Sequence, residues 1–169
     1  MNPARPPNDH AAVTIYLNVP PADAFEVFTA ELGQWWLRGH TFRVASKYPS
    51  QMHLEPRLGG RVFEQCGTRR TIYEIGTITA WQPPSFLAFD WRAPSFIDDE
   101  MTQVEVQFSL SGAGSRVQLV HSGWSKIVSE HRVRHGKSSS RFISDLDMWW
   151  ASLLRAFSQH ALRTRGQSR

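Results

Sequence analysis

The sequence predicts an α+β domain in which an antiparallel meander of strands packs against one long C-terminal helix. Two observations predict it. Between residues 51 and 122, six strand-like runs follow one another with Gly or Pro turns between them, as hairpin-linked antiparallel strands require. After residue 138, Phe142, Leu146, Trp149, Trp150, Leu153, Leu154 and Phe157 recur at helical spacing, a stripe long enough to cross a sheet.

In chain order, residues 1–11 are polar and Pro-rich and read as a disordered leader. Residues 12–19 alternate with β-branched side chains, a first strand that Pro20-Pro21 stops. Pro21 opens a short helix with acids in its early turns, where the helix dipole favours them, and Phe25, Phe28 and Leu32 form its buried stripe. Gly33 breaks it, and residues 34–37 suggest a second, shorter turn. The strand runs are 51–56, 61–66, 71–81, 86–92, 102–110 and 115–122, with Gly112-Ala113-Gly114 marking a hairpin. Alternation puts Leu87, Phe89 and Trp91 on one face of their strand. It does the same for Val104, Val106, Phe108 and Leu110, and for Val117, Leu119 and His121, so one face of the sheet is buried. The last helix is expected from about Ser139 to Leu162, followed by a basic, flexible tail over 163–169. No repeat or change of composition divides residues 12–162, which read as a single domain.

Composition narrows the function. The chain has 169 residues, 41% of them hydrophobic, with seven Trp and ten Phe, enough rings to fill a thick core or line a cavity. Net charge is +4, concentrated at Arg69-Arg70, over 126–141 and in the tail. Without interleaved aromatic and basic residues, these runs read as solvated loops and no nucleic-acid partner is expected. The single cysteine, Cys66, forbids an internal disulfide and suits a cytoplasmic protein, and no signal peptide or membrane span is expected. His131 and His135 are four apart, but a third ligand is missing, so no metal is expected. No phosphate loop, nucleophile elbow or dinucleotide fingerprint occurs, and no cofactor is expected.

Several segments together carry a family resemblance. They are the opening Val19-Pro20-Pro21-Ala22-Asp23-Ala24-Phe25-Glu26-Val27-Phe28, the Trp35-Trp36 pair, and Leu58-Gly59-Gly60-Arg61-Val62-Phe63-Glu64. Gly76-Thr77-Ile78 follows, leading through Trp81-Gln82-Pro83-Pro84 to Leu87-Ala88-Phe89-Asp90-Trp91. Val117-Gln118-Leu119-Val120-His121-Ser122-Gly123-Trp124 and the Trp-bearing last helix complete the set. The sequence resembles the START-like, or SRPBCC, superfamily, and within it bacterial proteins similar to the C-terminal domain of the activator of heat-shock protein 90 ATPase. The resemblance implies a helix-grip fold: a seven-stranded curved antiparallel sheet around a long C-terminal helix, two short helices after the first strand, and a cavity between sheet and helix. Such proteins include lipid carriers, polyketide cyclases, hormone receptors and co-chaperone domains, so the fold alone does not choose an activity.

The leading expectation is therefore a binder or carrier of a hydrophobic or amphipathic small molecule, monomeric or homodimeric. The rivals are a cyclase-like enzyme and a co-chaperone-like domain with a chaperone partner. The expected ligand-binding residues are Trp35, Trp36, Val62, Glu64, Glu74, Ile78, Phe89, Trp91, Phe108, His121, Trp150 and Leu154. If the protein is an enzyme, Glu64, Glu74 and His121 are the acid–base candidates. Alternation places Glu64 with Val62 and Glu74 with Ile78, so both acids point inward if those aliphatic residues do; a bulge would instead turn both to water. His121 is either a titrating group at the pocket mouth or a core histidine satisfied by hydrogen bonds.

Overall fold

The computed structural model describes residues 6–67 and 71–166; the first five residues of the leader, Arg69-Arg70 and the last three residues of the tail lie outside the described residues. Strand β1 (Ala11–Leu17) leads into α1 (Pro21–Ala30) and the single-turn α2 (Leu32–Trp35). The strands β2 (Ser50–Leu54), β3 (Arg61–Cys66), β4 (Thr71–Gln82), β5 (Phe86–Trp91), β6 (Thr102–Ser111) and β7 (Gly114–Ser122) follow. Helix α3 (Ser139–Arg165) ends the described chain, its first turn capped by the Ser138 hydroxyl accepting from the Arg141 N–H.

The strands form one seven-stranded antiparallel sheet in the order β1-β7-β6-β5-β4-β3-β2, curled as a half-barrel. It is the expected meander, with β1 closing it beside β7. Register follows the alternation: Val104 faces His121, Val106 faces Leu119 and Phe108 faces Val117, all buried on the concave face. Helix α3 presents Trp150, Leu153, Leu154, Phe157 and Ala161 to that face, and α1 adds Phe25 and Phe28. Asp147 on α3 accepts a hydrogen bond from the Ala12 N–H at 2.8 Å, which occupies a backbone donor of the edge strand.

The β3–β4 pairing departs from simple alternation. Val62 faces Gly76 while Phe63 faces Glu74, so Ile75 is an extra residue in a β-bulge. Ile75 and Gly76 are both buried, whereas Glu74 is exposed. The bulge keeps its hold on β5, because the Ile75 carbonyl accepts from the Arg92 N–H at 2.8 Å. A Cβ at position 76 would run into the Asp90 carbonyl oxygen, which explains the glycine there.

Both ends of the domain are more ordered than composition suggests. Asp9, within the expected leader, is buried; its carboxylate accepts from Gly123 N, Ser125 N and the Ser125 hydroxyl. Three polar partners at a loop corner are enough to hold a polar segment down. Helix α3 runs three residues beyond Leu162, and Arg165 pairs with Glu31 at 2.6 Å. The basic connector over 126–138 is not simply solvated either. Trp124 and Ile127 form a second apolar cluster with Phe96 and Ile143. Arg134 is buried with its guanidinium donating to the carbonyls of Trp124 and Ile127 at 2.8 and 2.9 Å.

Candidate functional site

The concave face is filled by rings. Phe28 meets Trp35, Phe108 and Phe157 with centroids 5.1, 5.6 and 5.4 Å apart, and Trp150 meets Trp36, Trp91 and His121 at 5.8, 5.8 and 5.9 Å. Tilted and edge-to-face rings at these separations are in van der Waals contact. Trp35, Val62, Ile78, Phe89, Trp91, Phe108, Trp150 and Leu154 all belong to this one buried cluster, where the sequence placed them. They are brought together as core.

His121 sits at the centre of a satisfied hydrogen-bond chain. The Trp150 indole N–H donates to His121 Nδ1 at 3.1 Å, which leaves the proton on Nε2 facing the Thr102 hydroxyl at 2.8 Å. That hydroxyl donates onward to the Trp91 carbonyl at 3.2 Å. Burial pushes the imidazole down to about 3, so it is neutral and holds strands and helix together.

Glu64 and Glu74, expected on one face, are separated by the β4 bulge. Glu74 is turned outward to solvent. Glu64 points inward and is 1% exposed. Its Oε2 accepts from Ala45 N and Ser46 N at 2.7 and 3.0 Å, and its Oε1 from Val44 N at 3.3 Å and the Ser50 hydroxyl at 2.5 Å. A carboxylate with four donors is a clasp, and here it fastens the irregular segment that follows α2 to strand β3.

That segment is clasped from the helix side as well. Trp149 on α3 donates its indole N–H to the Thr41 carbonyl, and Trp36 donates to the Phe42 carbonyl, both at 2.9 Å. Phe42 stacks on Trp149. Between this flap and the edge of the sheet lies an open cleft of about 580 Å³. Its exposed lining is more polar than apolar: the half-buried Phe42 and the edges of the buried Trp36 and Met52 supply the apolar part, and Arg38, Arg43 and Glu64 are its charged side chains. Burial holds the His53 imidazole below its usual range.

Of the twelve residues named from sequence, the cleft includes Trp36 and Glu64. Indole and phenyl rings occupy the space under α3 where an interior pocket was expected, and the cleft lies at the sheet margin instead. Arg38, Phe42, Arg43, Ser50 and Met52 were missed. Residues 37–49 have no periodicity to read, and the Trp35-Trp36 pair at their start was the available signal.

Among the described residues no group of three His, Cys, Asp or Glu side chains could hold a metal ion. His131 is engaged with Glu100 at 3.1 Å and accepts from the Val133 N–H. No described helix is long and apolar enough to cross a membrane.

Residues 18–146 match the family described as "Activator of Hsp90 ATPase homolog 1-like protein". The chain belongs to this family. No curated protein matches it. Its solved structural neighbours include a protein of Mesorhizobium loti, 16% identical with a TM-score of 0.63, the match covering 92% of this chain and 98% of the other. A protein of Nitrosomonas europaea is 11% identical with a TM-score of 0.58, covering 94% and 97%. An Hsp90 activator of Plasmodium falciparum is 17% identical with a TM-score of 0.53, covering 79% and 84%. At these identities the neighbours establish the fold of this Hsp90-ATPase-activator-like chain, which is the START-like architecture.

Proposed function

We propose that this member of the family is a cytosolic binding protein for a small amphipathic molecule, held in the cleft between the 36–49 flap and the sheet margin formed by edge strand β2 and its neighbour β3. The observation that supports it is the cleft itself: about 580 Å³, with the half-buried Phe42 and the exposed edges of Trp36 and Met52 beside a larger polar lining. Small-molecule sites fall at roughly 300–1,000 Å³ and combine an apolar lining with a few fixed polar groups. Covering the limited apolar surface contributes at roughly 25 cal/mol per Å², and the polar groups of the lining supply the larger share of the contacts.

Binding is favoured over acid–base catalysis by the state of the three candidate side chains. His121 is sealed in the core, Glu74 faces away, and all four hydrogen bonds of Glu64 go to the flap and Ser50. The test is native mass spectrometry of protein purified from its own cells, followed by titration with fatty acids, flavonoids and polyketide-like aromatics. A co-purifying mass, or a rise in thermal stability with one ligand class, supports the reading. Apo protein with no response to any class sinks it and leaves the interaction with a chaperone ATPase, named in the family's description, as the reading to pursue.

A further inference from the structure

The cleft carries an unbalanced charge. Its one acidic side chain, Glu64, is already saturated by three backbone N–H groups and Ser50. Arg38 and Arg43 line the same cleft, and neither makes an ion pair with a described residue. Arg57 and Arg61 pair with Glu55, Arg141 with Asp145, and Arg165 with Glu31, whereas the exposed Arg132, Arg155 and Arg163 also lack an ion pair among the described residues; what distinguishes Arg38 and Arg43 is that they share one concave site.

The two cleft arginines also have donors to spare. Arg43 Nη1 donates to the Lys47 carbonyl at 3.1 Å, but its Nε is buried without a partner. Arg38 is exposed and makes no hydrogen bond among the described residues. An unpaired buried donor is costly, and a guanidinium is shaped to take a carboxylate through two parallel N–H bonds.

We infer that the cleft selects an anionic head group on an apolar body, with Arg38 and Arg43 binding the anion while Phe42, flanked by the exposed edges of Trp36 and Met52, covers the body. The inference rests on the cleft being a ligand site and adds the class of ligand it takes: a carboxylate or comparable oxyanion, in preference to a neutral or cationic amphiphile.

The test uses two matched series in titration calorimetry: dodecanoate, dodecanol and dodecylammonium, and naphthoate, naphthylmethanol and naphthylmethylammonium. Within each series that binds, the anion is expected to bind at least tenfold more tightly than the alcohol, with the ammonium weakest, and the margin is expected to shrink as salt is raised. Arg38→Gln is expected to weaken the anion about tenfold without changing the alcohol. Because that side chain is exposed and unbonded, the variant keeps its fold. Arg43→Gln is expected to act in the same direction, and Arg43→Lys to restore the charge but only part of the affinity. Equal binding of all three heads, or an anion margin that survives in both glutamine variants, would overturn the head-group assignment and leave the cleft reading standing. Failure of every member of both series to bind would overturn the cleft reading and this inference with it.

Discussion

The indole N–H of Trp150 donates to Nδ1 of His121 across 3.1 Å, tying helix α3 to the strand β7 at the centre of the core. The contact fixes the histidine as neutral, with its remaining proton directed at Thr102. A charged imidazole there would have to give up the Trp150 bond and sit unsolvated among rings.

The pH dependence follows from that burial. Burial depresses the His121 folded-state value to about 3 from the usual 6.5 of a free imidazole, so the unfolded chain takes the proton first. Its contribution to stability is complete above about pH 6.5 and drains away as pH falls towards 3. Denaturant unfolding between about pH 6 and pH 5 is expected to show a loss of roughly 1 kcal/mol per pH unit from this group. His121→Gln is expected to be less stable at neutral pH but flatter across that window. Parallel slopes for the two proteins would contradict a neutral, sealed histidine.

Glu64 and Glu74 give a paired comparison. Glu64→Gln puts an amide N–H₂ among four donors, so part of the flap loses its acceptor. The expected cost is about 2–3 kcal/mol, with faster hydrogen exchange and proteolysis at residues 43–49. Glu74→Gln changes an exposed side chain and is expected to stay within about 0.5 kcal/mol. Equal effects from the two substitutions would mean that the bulge does not separate them.

That bulge also marks where the sequence stopped being readable. Period-2 alternation located Val104, Val106 and Phe108, and Val117, Leu119 and His121, because both strands are regular and half-buried. Helical spacing located Trp150, Leu154 and Phe157 for the equivalent reason. Alternation counts residues, however, and one unpaired Ile75 shifts everything N-terminal to it onto the other face, so Glu74 was placed inside. The cleft lay beyond reach for another reason. Its flap is held by backbone groups, whose carbonyls accept from Trp36 and Trp149 and whose N–H groups donate to Glu64, and such bonds leave no residue pattern.

Gly76 is the bulge residue least open to substitution. Any Cβ there meets the Asp90 carbonyl of the neighbouring strand, and a backbone oxygen cannot rotate away as a side chain can. Gly76→Ala is expected to force β4 and β5 apart locally and to cost about 3 kcal/mol or more, read from the shift in denaturant midpoint. Gly67→Ala serves as the comparison. Position 67 has open space around a Cβ but a positive φ of 52°, so about 1 kcal/mol is expected from backbone strain alone. A Gly76→Ala protein no weaker than Gly67→Ala would refute the close approach of Asp90.

The last turn of α3 is held by Glu31, at the junction of α1 and α2. Its Oε2 accepts from His160 Nε2 and its Oε1 from Arg165, both at 2.6 Å. Burial alone would raise this carboxyl, but the hydrogen bonds from His160 and Arg165 outweigh it and hold the group below its usual range. A depressed carboxylate stabilises the fold above its unfolded value, near 4.5, and ceases to do so as pH falls through its folded value. Arg165→Ala, or a chain ending at Leu162, is therefore expected to lose about 1 kcal/mol at neutral pH. The gap from the full-length protein should narrow below about pH 4, as the carboxylate is protonated in both proteins. A gap of constant size across that range would show that Arg165 acts through helix length rather than through Glu31.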